Sequence, residues 1–475
     1  MPPTKKELIL AALVMLALPL LAELALRLSH TQFDAQLYGP NRERGWTLRP
    51  GASGLVSIET RQFVRINSHG FRDEERSYDK PSDTFRIAVL GNSWTEALQV
   101  PLEKTYTSVL QQKLNETPCF SRKHFEVLNF GVAGYSTAQE LLTLDQEVWK
   151  YHPDLILLAF YPARDIADNL RELNNALDPE RSPYFVYRGG QLVLDDSFRS
   201  LPPLQPRQIL LQNIGYQFSQ RLEIFQAADA IQRYGKIRVA MAAAKERAES
   251  SGVDNLEYTI YSPPTTPAMQ TAWHVTEGLL LAMRDTVNAH GAEFRIVTLA
   301  TRPQVIPDPA KRAELVRRLG VNDFSYADNR LREFGGQARI PVTNLAPTLS
   351  SYAETHHVYL NGFNPSNLGA GHWNETGHRV AAEGIAAALC PSSTITNSRV
   401  AEPSSSLWSG RLPRRAPFLL GPKCSAGISR QLSLSNSNLQ YSASSQANPL
   451  RNRKTARVPK GRGDSRTSTA EVSPS

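Results

Sequence analysis

A chain of 475 residues with 41% hydrophobic and 21% charged content can bury a large core, and its length allows two or three domains. The formal net charge of +8 resides in the tail, because residues 391–475 hold 13 Lys or Arg against 3 Asp or Glu and leave the rest near −2. The folded part therefore lacks the basic surplus that nucleic-acid binding requires, and no nucleic-acid partner is expected; three cysteines are too few for a disulfide scaffold and match no zinc spacing.

The N-terminus reads Lys5-Lys6, an apolar run from Leu8 to Ala22, Glu23, then Leu24-Ala25-Leu26 before Arg27. This reaches the ~20 residues of a membrane span if Glu23 sits near the far interface. No two alanines have the spacing of a cleavage site. Residues 1–28 are therefore expected to be an uncleaved signal anchor, with Lys5 and Lys6 inside and the body on the extracytoplasmic side. A cleaved signal peptide is the alternative and exports the body equally. Residues 29–82 are polar and turn-rich, with one short extended stretch at Phe63-Val64-Arg65-Ile66, and are expected to form a stalk and an edge element.

From Phe85 the pattern changes to buried strands alternating with helical periodicity. Strands are predicted at Arg86 to Leu90, Phe125 to Phe130, Leu155 to Phe160, Phe294 to Leu299 and, more weakly, Ile340 to Thr343. Helical spacing occupies Leu102 to Leu114, Thr137 to Lys150 and Ala272 to His290. This alternation argues an α/β fold with a parallel sheet of about five strands, helices on both faces, and an active site at the carboxyl ends of the strands. Residues from about 169 to 264 interrupt the rhythm and are expected to be an insertion, serving as a lid, a substrate platform or a surface elaboration. Residues 391–475, rich in Ser, Asn, Arg and Pro, are predicted to be disordered.

Four strand-end motifs carry candidate chemistry. Gly91-Asn92-Ser93-Trp94-Thr95-Glu96 follows the first strand and would expose the Ser93 hydroxyl at the sheet edge. Asn129-Phe130-Gly131-Val132-Ala133-Gly134 follows the second, where Gly134 would let backbone approach a ligand. Phe160-Tyr161-Pro162-Ala163-Arg164-Asp165 ends the third. Gly371-His372-Trp373-Asn374 precedes the last helix, where the His372 imidazole would face Ser93 and accept its proton. His378, inside that helix, is expected to be structural or on the surface.

Over about Phe85 to Cys390 these blocks resemble the SGNH or GDSL hydrolase family, and the anchor with Arg65-Ile66-Asn67-Ser68-His69-Gly70-Phe71-Arg72 is similar to its membrane-anchored branch. The resemblance implies a three-layer α/β/α sandwich of flavodoxin-like order. It also implies Ser93 as nucleophile, His372 as base, and an oxyanion hole from Ser93 and Gly134. Arg164 takes the place of the family's Asn donor, and Asn92 and Asp165 stand as supporting residues. Neither metal nor cofactor is implied. Asn92 stands where the family usually has Asp, and Gly369 and Ala370 occupy the places of the acid before the histidine. His372 is then expected to be oriented by a backbone carbonyl or by a carboxylate such as Asp165 or Asp168. In a flavodoxin-like order the first and last helices lie side by side, so a Cys119–Cys390 disulfide is expected at their far ends, two unpaired thiols being the alternative.

The activity implied is hydrolysis of ester bonds outside the cytoplasmic membrane, on an acyl ester such as an O-acylated carbohydrate. The alternatives are an O-acyltransferase on envelope carbohydrate and a binding or scaffold protein that keeps the fold without the chemistry.

Overall fold

The computed structural model describes residues 3–117, 124–174, 178–251 and 256–390. The chain divides into two units, Met1–Thr396 and Asn397–Ser475, and the second lies outside the described residues, as do the rest of the predicted tail, Cys119 and Cys424.

The first element, α1 (Lys5–Ser29), begins on a capping box in which the Thr4 hydroxyl and the Glu7 carboxylate satisfy each other's backbone N–H. None of its residues is buried, and it is the one helix among the described residues long and apolar enough to cross a membrane.

Two antiparallel hairpins follow, β1 (Tyr38–Asn41) with β2 (Gly45–Leu48), and β3 (Ser53–Ile58) with β4 (Thr60–Arg65). Where a stalk and an edge element were expected, neither hairpin joins the central sheet. Their inward side chains Leu48, Val56 and Val64 form a separate apolar cluster with Leu98, Val132 and Tyr135 from loops of the main body. The alternating pattern supplies a strand with one face to bury, and these loops are what that face covers. The segment is therefore a cap over the sheet's carboxyl edge.

The body runs β5 (Thr84–Gly91), α2 (Ser93–Glu96), α3 (Tyr106–Glu116), β6 (His124–Asn129), α4 (Thr137–Gln146), β7 (Leu155–Phe160) and α5 (Pro162–Asp168). The insertion then supplies a small hairpin, β8 (Tyr184–Arg188) with β9 (Gln191–Asp195), and two helices, α6 (Pro206–Ser219) and α7 (Glu223–Ser251). The chain returns through α8 (Pro267–Ala289), β10 (Glu293–Thr298), α9 (Pro309–Leu319), α10 (Tyr326–Ala338), β11 (Val342–Asn344), α11 (Ala346–His356) and α12 (Glu375–Leu389).

The five sheet strands are all parallel and lie in the order β6-β5-β7-β10-β11, the flavodoxin-like arrangement expected. The middle strand β7 is buried at all six positions, as a strand covered by helices on both faces must be. Each of its large apolar side chains contributes roughly 1.5–3 kcal/mol by leaving water, which makes the centre of the sheet a rigid platform. On the outside, α3 packs with α12 while α4 packs with α8. The chain leaves β5 for β6 on one side and returns to β7 on the other, so the carboxyl ends of β5 and β7 flank the crevice where ligands of such folds bind.

Candidate active site

Ser93 is the first residue after the β5 turn. Gly91 has no room for a side chain, since a Cβ there would stand 2.1 Å from Thr95 Oγ1. Asn92 caps α2, its Oδ1 accepting the Trp94 N–H at 3.1 Å, while its Nδ2 donates to Asp165 Oδ1 at 2.8 Å. The Tyr161 N–H donates to the other Asp165 oxygen at 2.7 Å. Asp165 thus links the ends of β5 and β7 beneath Ser93.

His372 reaches Ser93 from the opposite side. Its Nε2 lies 2.8 Å from Ser93 Oγ, and its ring packs against Trp94 at 5.0 Å between centroids. The carboxylate against His372 is neither of those expected. Asp165 is engaged by Asn92 and Tyr161, and Asp168 by Arg164 Nε at 3.0 Å. Instead Glu59, at the tip of the β3–β4 hairpin, places Oε1 2.7 Å from His372 Nδ1 and accepts the His372 N–H on Oε2 at 2.8 Å.

That clasp has two local requirements. Glu59 adopts a left-handed conformation, φ 63°, uncommon for a residue with a side chain and concentrated at functional sites. Gly371 also has positive φ, 69°, and a Cβ there would stand 2.2 Å from Glu59 Oε2. Burial acts to raise the Glu59 carboxyl, but the hydrogen bonds from the His372 ring and backbone, with its charge and that of Arg302, outweigh it. Glu59 is held below the usual carboxylate range. Sequence reasoning missed this residue because its partner lies 313 positions away. The only local signal is a lone acid between two alternating apolar stretches.

The loop after β6 forms the third side. Gly131 packs against the backbone of Thr95 and Glu96, where a Cβ would clash, and Gly134 has φ 79°. Trp46 Nε1 donates to Ala133 O at 3.0 Å, and the buried Glu96 accepts the Ala133 N–H at 2.5 Å and the Tyr38 hydroxyl at 2.8 Å. Burial pushes Glu96 up to about 7 despite these donors and the Arg72 guanidinium. Among the described residues, the N–H groups of Ser93 and Gly134 have no protein acceptor. Arg164, tied to Asp168, faces a chamber of about 1090 Å³ that Gly134, Trp46, Tyr38 and Tyr216 also line; Ser93 and His372 are not in its wall.

His378 is buried in α12 and accepts the Tyr106 N–H on Nδ1 at 3.2 Å. Burial, with the charges of Arg72 and His372, pulls it down to about 3, so it is neutral near pH 7 and structural, as expected. Cys390 is disulfide-bonded, while its expected partner Cys119 lies outside the described residues.

No family model and no curated protein matches the chain. Among solved structures it is similar to the acetyl xylan esterase AlAXEase at 12% identity, over 64% of this chain and 99% of that one, with TM-score 0.32. It is also similar to an acetylxylan esterase from Geobacillus stearothermophilus at 8% identity, over 64% and 94%, with TM-score 0.31. A protein described as lipolytic and of the G-D-S-L family, from Desulfitobacterium hafniense DCB-2, matches at 11% identity over 63% and 97%, with TM-score 0.28. At such identities and scores no residue role passes from these proteins to this chain, and the reading of the site rests on its own atoms.

Proposed function

We propose that the chain is a serine-dependent hydrolase of ester bonds, with Ser93 as nucleophile, His372 as base and Glu59 as the acid that orients it. The observation that carries this reading is the continuous relay from Ser93 Oγ to His372 Nε2 at 2.8 Å and from His372 Nδ1 to Glu59 Oε1 at 2.7 Å.

With Nδ1–H donated to Glu59, Nε2 is left unprotonated toward Ser93, the tautomer a general base needs. Ser93 Oγ attacks the ester carbonyl carbon as its proton passes to Nε2. The N–H groups of Ser93 and Gly134 hold the oxyanion, and collapse expels the alcohol, which takes the proton back from His372. Water, activated by the same nitrogen, then frees the acid from the acyl-enzyme. Glu59 offsets the imidazolium charge in both halves. Arg164, on the chamber wall beside Gly134, is placed to meet an acidic or polar group of the substrate.

That the chamber reaches Gly134 favours a second reading, in which a carbohydrate hydroxyl replaces water as acceptor. Glu59 at His372 weighs against the reading as a scaffold without chemistry, because it supplies a carboxylate to the histidine where Gly369 and Ala370 supply none. We also read α1 as an uncleaved anchor that holds the body outside the cytoplasmic membrane.

The test is fluorophosphonate labelling of the purified full-length protein and of Ser93→Ala, His372→Ala and Glu59→Gln. Labelling of wild type that vanishes in the first two variants and slows in the third supports the assignment. A well-folded wild type that does not label overturns it. Acyl transfer that rises with added oligosaccharide, at the expense of free acid, separates transferase from hydrolase.

A further inference from the structure

We propose that the α6–α7 pair of the insertion is a second membrane contact, its outer apolar face lying in the headgroup region of the phospholipid bilayer that α1 enters. The proposal rests on reading α1 as a membrane span.

The geometry fastens the pair to the point where α1 leaves the bilayer. Glu23, the one acid within the apolar run, accepts the backbone N–H of Glu223 at 3.1 Å and of Ile224 at 2.9 Å, and so caps the first turn of α7. Arg27 donates to Glu23 Oε1 at 2.7 Å and to the Arg221 carbonyl at 2.9 Å. Glu23 and Arg27 are one helical turn apart, about 6 Å along the axis. A span whose last turn sits at the interface therefore holds the α6–α7 corner at that depth as well. The same contact explains how a carboxylate is tolerated there, since its charge is neutralised and its lone pairs are used.

The outer face of the pair suits such a position. Outside α1, 14 large apolar side chains are exposed among the described residues, and eight of them lie on α6 and α7. Leu210, Leu211, Ile214 and Phe218 recur along one side of α6, and Ile231 and Val239, both more than 70% exposed, follow on α7. Exposed large apolar side chains gathered on one helix pair mark an interaction surface, and here α7 packs against the apolar helix α1. The 14 residues of α6 are too few to cross a bilayer, so the helix lies on it rather than through it. Among the described charged side chains of the pair and its linker, Arg233, Lys236 and Asp229 line the chamber, which leaves Arg207, Arg221 and Arg238 against Glu223. Apolar residues with a cationic surplus are the composition of helices that rest on anionic lipid surfaces.

The test places one spin label at a time on full-length protein reconstituted in phosphatidylcholine and phosphatidylglycerol vesicles. The sites are Leu16→Cys in α1, Leu211→Cys in α6, Ile231→Cys in α7 and the exposed Gln112→Cys in α3, with the native thiols alone as background. Collision with oxygen, which partitions into lipid, is compared with collision with a water-soluble nickel chelate. The expected result is a high oxygen-to-nickel ratio at positions 16, 211 and 231 and a low one at 112. A low ratio at 211 and 231 with a high one at 16 overturns the inference and leaves the anchor standing. A low ratio at 16 overturns the anchor reading, and the inference with it. Shielding of 211 and 231 from both reagents means that a second copy or another protein covers the face, and also overturns the inference.

Discussion

Glu59 grips His372 with both carboxylate oxygens, one on the ring Nδ1 at 2.7 Å and one on the backbone N–H at 2.8 Å. The carboxylate thereby fixes the position of the histidine and, in the proposed mechanism, its tautomer. Replacing Glu59 by Gln keeps the shape but offers an amide that stabilises the wrong tautomer. We predict that kcat/KM on an ester substrate falls by roughly 10³ to 10⁴ while Tm is nearly unchanged. A fall of less than tenfold would remove Glu59 from the mechanism.

Gly371 is required by that clasp. Gly371→Ala puts a Cβ 2.2 Å from Glu59 Oε2 and forces a side chain into φ 69°. A stability loss of roughly 1–3 kcal/mol is expected, with a drop in activity of at least tenfold. In a Glu59→Ala background the same change should cost little further activity. Full additivity in this cycle would show that Gly371 acts elsewhere.

Glu96 links stability to pH. Its carboxyl is raised from 4.5 to about 7 by burial, so the folded state holds a proton that the unfolded chain releases. The sign follows: this contribution is fully present below pH 4.5 and is lost as pH rises through about 7. Glu96→Gln should therefore gain about 2–3 kcal/mol relative to wild type between pH 5 and pH 8, measured by urea unfolding. An equal difference at both pH values would separate Glu96 from the linkage.

Cys390 is disulfide-bonded, and α12, which it caps, packs on α3, the helix that runs toward Cys119. We predict a Cys119–Cys390 peptide in a non-reducing digest. Cys119→Ser should free the Cys390 thiol and destabilise the domain by roughly 2–5 kcal/mol. A Cys390–Cys424 peptide would assign the bridge to the tail instead.

Much of the site was legible because its parts are written locally. Gly91-Asn92-Ser93 is a buried strand ending in a turn that caps its own helix, and every residue needed to recognise it lies within a few positions. The same holds for Gly134 after β6 and for His372 ahead of α12. Glu59 was not legible, since a residue between Ile58 and Thr60 carries no mark of what a hairpin tip will touch. Asp165 was visible as a charged strand-end residue, but its engagement with Asn92 rather than His372 depends on how β5 and β7 lie side by side.

The sequence by itself determined the parallel five-stranded sheet, the strand ends bearing Ser93 and Gly134, the loop bearing His372 ahead of α12, and the apolar helix at the N-terminus. Periodicity and turn chemistry act over a few residues, so neighbours in the chain suffice to specify them. Only the tertiary structure decided that residues 29–82 cap the sheet's carboxyl edge and bring Glu59 to His372, and that Glu23 fastens the insertion to α1. Those contacts join residues tens to hundreds of positions apart. Packing of the whole chain, rather than any local spacing, brings their side chains within hydrogen-bond reach.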